Sequence, residues 1–188
     1  RGFLGKGMVV SVDKYTAVKM YDKVQHYWAI EKQSIMKERN TAETKEERDK
    51  LTRILAYMNK VEMAVIISEE NDEEAKFAKQ GLDITKHRVK MKEITPDGRD
   101  IEDRFKDPDD SLQLVFVCAM WLTGFDVKNL STLYLDKPMK GHTLMQAIAR
   151  ANRVYPGKPA GIIVDYVNVF KYMKKALTEY ATGDDGTE

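Results

Sequence analysis

Cysteine is almost absent: Cys118 is the only one in 188 residues. No internal disulfide can form, and a lone thiol in an apolar run points to a reducing, intracellular compartment. The three histidines, His26, His87 and His142, are scattered, and with one cysteine they make no metal-ligand cluster. We expect His26 and His87 at the surface. No apolar run approaches the roughly 20 residues that span a bilayer, and no signal peptide is evident. An excess of charge of one sign is missing as well. With 31 Lys and Arg against 30 Asp and Glu the net charge is +1, so any nucleic-acid contact must come from a local patch.

Some motifs are absent too. There is no Gly-x-x-x-x-Gly-Lys-Ser/Thr loop to cradle phosphates, and no Asp-Glu box follows a strand. Pro96-Asp97 is followed only by Glu102-Asp-Arg104 in a polar stretch, so a Pro-Asp … Glu-x-Lys nuclease core is missing. Gly2, Gly5 and Gly7 precede the first apolar run rather than follow it, which excludes a dinucleotide-binding turn. The chain opens on Arg1, from which we expect a segment of a longer protein.

What is present is a hydrophobic content of 43%, enough for one well-packed domain. Short apolar runs at 7–12, 63–67, 112–117, 131–135 and 161–165 read as buried strands. Between them, periodic segments predict helices from about 17 to 39, 51 to 58, 143 to 154 and 169 to 180, with Thr44 and Glu47 as a capping box. Residues 68–110 are polar, with short helices near 72–80 and 101–105, a turn at Pro96-Asp-Gly98, and an acidic loop at Asp107, Asp109 and Asp110. Strands apolar at consecutive positions and alternating with helices predict an α/β fold, a parallel sheet covered on both faces. The domain is expected over 1–182, with polar or helical insertions at about 37–60 and 68–110 and a disordered tail at 183–188.

The most informative stretch is Gln146-Ala-Ile-Ala-Arg-Ala-Asn-Arg153. Gln146, Arg150 and Arg153 recur at helical spacing, so all three are expected on one helix face. Two guanidiniums so placed suit an oligoanion such as a triphosphate. The alternative is a solvated face or a structural salt bridge. Upstream, a strand ends in a loop carrying Thr123, Gly124 and Asp126; Asp126 could equally cap or bridge locally. Ser11 and Lys14 follow the first strand, either as phosphate contacts or as an ordinary helix start. Lys137, Lys140 and His142 form a second small basic cluster. Cys118, Met120 and Trp121 read as core or interface packing.

On these residues the chain resembles the second RecA-like motor domain of a superfamily 2 helicase, and within that group the R subunit of type I restriction-modification enzymes. Met8-Val-Val-Ser-Val-Asp-Lys-Tyr-Thr-Ala-Val-Lys-Met-Tyr-Asp22 is similar to helicase motif IV. Leu122-Thr-Gly-Phe-Asp126, with Tyr134-Leu-Asp-Lys-Pro-Met139, is similar to motif V. Leu144-Met-Gln-Ala-Ile-Ala-Arg-Ala-Asn-Arg153 is similar to motif VI. Ala149 and Cys118 depart from the commoner Gly and Thr of these motifs. The resemblance implies a RecA-like fold without its own phosphate loop, serving an ATP-driven double-stranded DNA translocase in a bacterial or archaeal cytoplasm. It implies ATP and Mg²⁺ bound mainly by a first motor domain. Arg153 would be the arginine finger, with Arg150 beside it at the phosphates. Gln146, Gly124 and Asp126 would lie near the nucleotide, and Ser11, Lys14 and Thr123 near DNA. The implied partners are the first motor and nuclease domains of the parent chain, and methyltransferase and specificity subunits. This segment alone would neither hydrolyse ATP nor cut DNA. Two other readings stay open: the same domain of another superfamily 2 DNA or RNA helicase, and a non-catalytic interaction domain with a degenerate helicase fold.

Overall fold

Five strands form one wholly parallel sheet in the computed structural model, which describes residues 5–122, 124–158, 160–172, 174, 175 and 178. They are β1 (Lys6–Ser11), β2 (Glu62–Ile66), β3 (Leu112–Val117), β4 (Leu130–Asp136) and β5 (Ile162–Asp165), in the order β2-β3-β1-β4-β5. Strand β1 sits at the centre, paired with β3 on one side and β4 on the other. Its side chains alternate between two cores: Met8 and Val10 enter one, Val9 the other. Both faces must therefore be covered, which is why the strands read as continuous apolar runs.

One face carries α1 (Lys14–Thr41), α3 (Glu73–Lys79) and α4 (Thr85–Lys92). Ala17, Val18, Phe77 and Ile84 pack there against Val9, Val65 and Phe116. The other face carries α5 (Ile101–Lys106) and α6 (Gly141–Ala151), whose Ile101, Phe105, Leu144, Ala147 and Ala151 meet Met8, Val10, Val115 and Leu133. Helix α2 (Lys45–Lys60) lies outside this frame and folds back on the far half of α1, where Leu55 and Met58 bury against Ile35. Local chemistry sets the boundaries. Asp13 accepts a hydrogen bond from the Thr16 amide at 2.7 Å and starts α1, and Thr44 does the same for the Glu47 amide at 3.2 Å and starts α2. Gly98, at φ +86°, closes the anticipated turn by donating to the Thr95 carbonyl at 2.8 Å.

Residues 68–110 contribute more than a polar excursion, since Phe77, Ile84, Ile101 and Phe105 are all core. Helix α4 escapes the sequence reading because its inward residues are His87 and Arg88. The expectation that His87 is a surface residue is corrected: it is 3% exposed, set edge-on to Tyr21 at 4.8 Å, with Nε2 lacking a partner. Burial, aided by the neighbouring Lys86 charge, pushes it down to about 4. Arg88 ties α4 to the end of β2 through the carbonyls of Ile67 (2.6 Å) and Ser68 (2.9 Å) and through Glu73 (2.6 Å).

At the amino-terminal edge of the sheet, α5 is fastened by charge. Arg104 contacts Asp110 at 3.0 Å and Glu62 at 2.9 Å, and Lys90 also reaches Glu62. Burial raises the Glu62 carboxyl, but hydrogen bonds from Lys90, Ser111 and Arg104 outweigh this and hold it at about 2. Lys6, 1% exposed, donates to the carbonyls of Leu112 at 2.7 Å and Arg104 at 3.1 Å; burial lowers its ammonium to about 8 against the pull of Asp110 and Asp107. Removing one partner from a buried pair of this kind costs roughly 3–5 kcal/mol. The expected tail at 183–188 lies outside the described residues, as does part of the expected last helix at 169–180.

Candidate functional site

The site forms on the α5/α6 face, where the chain between β3 and β4 passes under α6. This connection alternates in polarity. Trp121, Leu122, Phe125 and Val127 are buried, while Gly124 and Asp126 are exposed. Two left-handed residues shape it: Trp121 at φ +66° and Gly124 at φ +73°. For glycine this conformation is free, whereas for a bulky residue it costs roughly 1–3 kcal/mol. Nothing lies within 4 Å of where a Cβ at Gly124 would sit, so its backbone opens outward. Thr123 lies outside the described residues.

Helix α6 presents Gln146 and Arg150. Leu144, Ala147 and Ala151 recur on its buried side, leaving Gln146 and Arg150 partly exposed. Arg150 Nε donates to the Leu122 carbonyl at 2.6 Å. Its two terminal nitrogens carry no hydrogen bond among the described residues. Gln146 is turned to the preceding helical turn, with Nε2 2.7 Å from His142 Nε2.

The expectation that Gln146, Arg150 and Arg153 share one helix face is corrected. The helix ends at Ala151, Asn152 caps it, and Arg153 stands beyond it. Tertiary contacts stop it three residues early. Lys158 Nζ takes the Ala151 carbonyl at 3.0 Å, and the Asn152 side chain accepts from the Gly161 amide at 3.4 Å. Gly161 runs so close beneath that an added Cβ would fall 2.3 Å from the Ala151 oxygen. Freed from the helix, Arg153 places Nε 3.4 Å from Asp126 Oδ1, both side chains about half exposed at 53% and 48%. Tertiary structure thus ties both arginines to the connection between β3 and β4, Arg150 at Leu122 and Arg153 at Asp126, and these residues make up the candidate group.

Ser11 and Lys14 form no contact with that group. Ser11, at the carboxyl end of β1, is 0% exposed, and its Oγ is buried without a hydrogen-bond partner. Lys14 pairs with Glu70 at 3.3 Å. The small basic cluster is dispersed over different partners: Lys137 donates to the Cys118 carbonyl at 3.1 Å, Lys140 lies over the Tyr172 ring at 4.8 Å, and His142 meets Gln146. Reading the sequence missed the Leu122 carbonyl, since a backbone acceptor leaves no signature. A cavity of about 760 Å³ opens at the amino-terminal edge of the sheet between Tyr57, Pro108, Asn129 and Tyr155, but no anticipated site residue lines it.

Chemically, the group offers two guanidiniums, one anchored by Nε with its fork unoccupied, the other held by a single exposed carboxylate. That arrangement fits an oligoanion with several oxygens, such as a triphosphate. Among the described residues no three His, Cys, Asp or Glu side chains come together as metal ligands, and no helix is long and apolar enough to cross a membrane.

Residues 6–168 match the family described as type I restriction enzyme subunit R domain 3. The chain is 35% identical over 180 residues, 96% of its length, to a putative type I restriction enzyme MjaIXP endonuclease subunit of Methanocaldococcus jannaschii, of which it covers 13%. It is 57% identical over 83 residues, 43% of its length, to the type I restriction enzyme HindI endonuclease subunit of Haemophilus influenzae, of which it covers 8%. The chain therefore spans a small part of the curated relatives it matches. With a parallel sheet compatible with a RecA-like fold and a family match over most of its length, the chain belongs to the domain 3 family of type I restriction enzyme R subunits.

Proposed function

We propose that this domain is the second motor domain of an ATP-driven double-stranded DNA translocase within a type I restriction enzyme R subunit, a cytoplasmic enzyme of bacteria or archaea. The observation that carries the reading is the Arg150 fork, anchored at Leu122 and otherwise unpartnered, with Arg153 three residues on. ATP with Mg²⁺ supplies the phosphoryl group whose transfer to water drives movement, and a preceding motor domain holds most of it. Arg153 exchanges its exposed carboxylate partner for the γ-phosphate and acts as the arginine finger, a contribution of roughly 10³–10⁵ in rate. Arg150 contacts the phosphates from its fixed position. Gln146, Gly124 and Asp126 border the nucleotide, Asp126 receiving Arg153 between turnovers.

Ser11, Lys14 and Thr123 serve the DNA side in this reading. Ser11 closes β1 and Lys14 opens the 28-residue α1, whose amino end presents backbone N–H groups that favour a phosphate. Because the Ser11 hydroxyl is closed off, its part is limited to the backbone. Such contacts hold any sequence equally, as a translocase requires. The methyltransferase and specificity subunits, and the first motor and nuclease domains of the same parent chain, complete the machine.

The test is DNA-stimulated ATP turnover of the full-length R subunit in its assembled complex, wild type against Arg153→Ala and Arg150→Lys. A fall in kcat of roughly a hundredfold or more for Arg153→Ala, with ATP binding kept, supports the finger. Lysine cannot both hold Leu122 and present a fork, so Arg150→Lys should lose at least roughly tenfold. Unchanged turnover in both variants would remove the motor role from this pair.

A further inference from the structure

Trp121 combines two features that local packing propensity does not require of a core residue. Its backbone is left-handed at φ +66°. Among the described residues the other two non-glycine ones in that region are Asp72 and Asn168, types that tolerate it; a tryptophan does not. Its ring makes the two closest contacts in a cluster of three near-parallel rings beside the site. Trp121 lies 4.2 Å from Phe125, with the planes 15° apart, and 5.6 Å from Phe105 at 25°. Phe105 and Phe125 are 6.4 Å apart at 18°, and Lys106 Nζ sits 5.3 Å from the Phe125 ring. The cluster therefore joins α5, which the Arg104–Asp110–Glu62 contacts fix to the sheet, to the residue next to Asp126.

The neighbours of these rings are the partners of the arginines. Leu122 follows Trp121 and gives its carbonyl to Arg150; Asp126 follows Phe125 and meets Arg153. A backbone held away from its preferred region persists only where surrounding structure over-determines it, and such residues gather at functional sites. We propose that Trp121 is a positioning residue for the arginine pair: packed against both Phe105 and Phe125, it fixes the Leu122 carbonyl and the Asp126 carboxylate that orient Arg150 and Arg153, and couples them to α5. This rests on reading that pair as nucleotide-contacting. Trp121 itself touches no nucleotide in this account.

The test uses the full-length R subunit in its complex, with Trp121→Ala, Trp121→Phe and, as a reference, Arg153→Ala. Two quantities are measured: hydrogen–deuterium exchange of peptides covering 101–106 and 118–127 without nucleotide, and kcat and KM for ATP with DNA present. Trp121→Ala should speed exchange in both peptides roughly tenfold or more. It should lower kcat by a similar factor while KM moves less than about threefold, and Trp121→Phe, which keeps a ring in the cluster, should restore most of both. If Trp121→Ala fails to assemble, Phe105→Leu attacks the same cluster from α5 and should speed exchange at 118–127. Unchanged exchange in the altered protein, or faster exchange with unchanged kcat, would overturn the proposal. If Arg153→Ala leaves turnover intact, the finger reading fails by itself, and the nucleotide-free exchange still decides whether Trp121 holds this segment.

Discussion

Arg153 and Asp126 meet at 3.4 Å although one follows α6 and the other lies in the connection between β3 and β4. The pair is about half exposed on both sides, and exposed ion pairs contribute roughly 0–1 kcal/mol. Asp126→Asn and Arg153→Ala should therefore each shift the urea unfolding free energy of the 188-residue chain by less than about 1 kcal/mol. A loss above about 2 kcal/mol in either variant would make the contact structural. Turnover lost by Arg153→Ala could then no longer be assigned to chemistry.

Gly161 should be intolerant of a side chain for a reason unconnected with backbone freedom. An alanine Cβ would stand 2.3 Å from the Ala151 oxygen and 2.6 Å from its carbonyl carbon, both backbone atoms that cannot rotate away. Gly161→Ala should destabilise the chain by roughly 1–3 kcal/mol, the usual cost of overpacking. Because the displaced atoms end α6, exchange at 150–153 should rise as well. Wild-type stability with wild-type exchange would show that the two segments are not in this close contact.

His87 should make stability depend on pH in mildly acidic solution. Its folded value of about 4 lies below the ordinary 6.5. Between the two the unfolded chain takes up a proton that the folded chain refuses. The contribution is complete above pH 6.5 and is lost as pH falls towards 4. Urea titrations from pH 7 to 4.5 should show a decline, and His87→Phe, which keeps a ring against Tyr21, should flatten it by on the order of 1–3 kcal/mol. Parallel pH profiles for the two proteins would mean that His87 reaches its proton in the folded state.

Much of the frame is legible in the residues because it depends on local pattern. The run at 112–117 is the observed β3, the run at 63–67 is offset from β2 by one residue, and the run at 161–165 exceeds β5 by one residue at its start. Apolar residues run consecutively in such strands because helices cover the sheet on both faces. Helix α4 was hidden because its inner face is His87 and Arg88, which satisfy buried carbonyls and ring contacts rather than apolar periodicity. The end of α6 lies earlier than its pattern suggests because Lys158 and Gly161, brought back by the turn that follows the helix, decide it.

By itself the sequence determined the alternation of strands and helices, the parallel α/β class and the stretch that carries the arginines, since each follows from neighbours a few positions apart. Tertiary structure decided which of these groups act together. It released Arg153 from the helix and set it on Asp126, gave Arg150 a backbone acceptor, and buried Ser11. It also brought Phe105, Trp121 and Phe125 into one cluster of near-parallel rings. These outcomes depend on packing between segments far apart in the chain, where a carbonyl or a ring is available only once the sheet has brought the segments together.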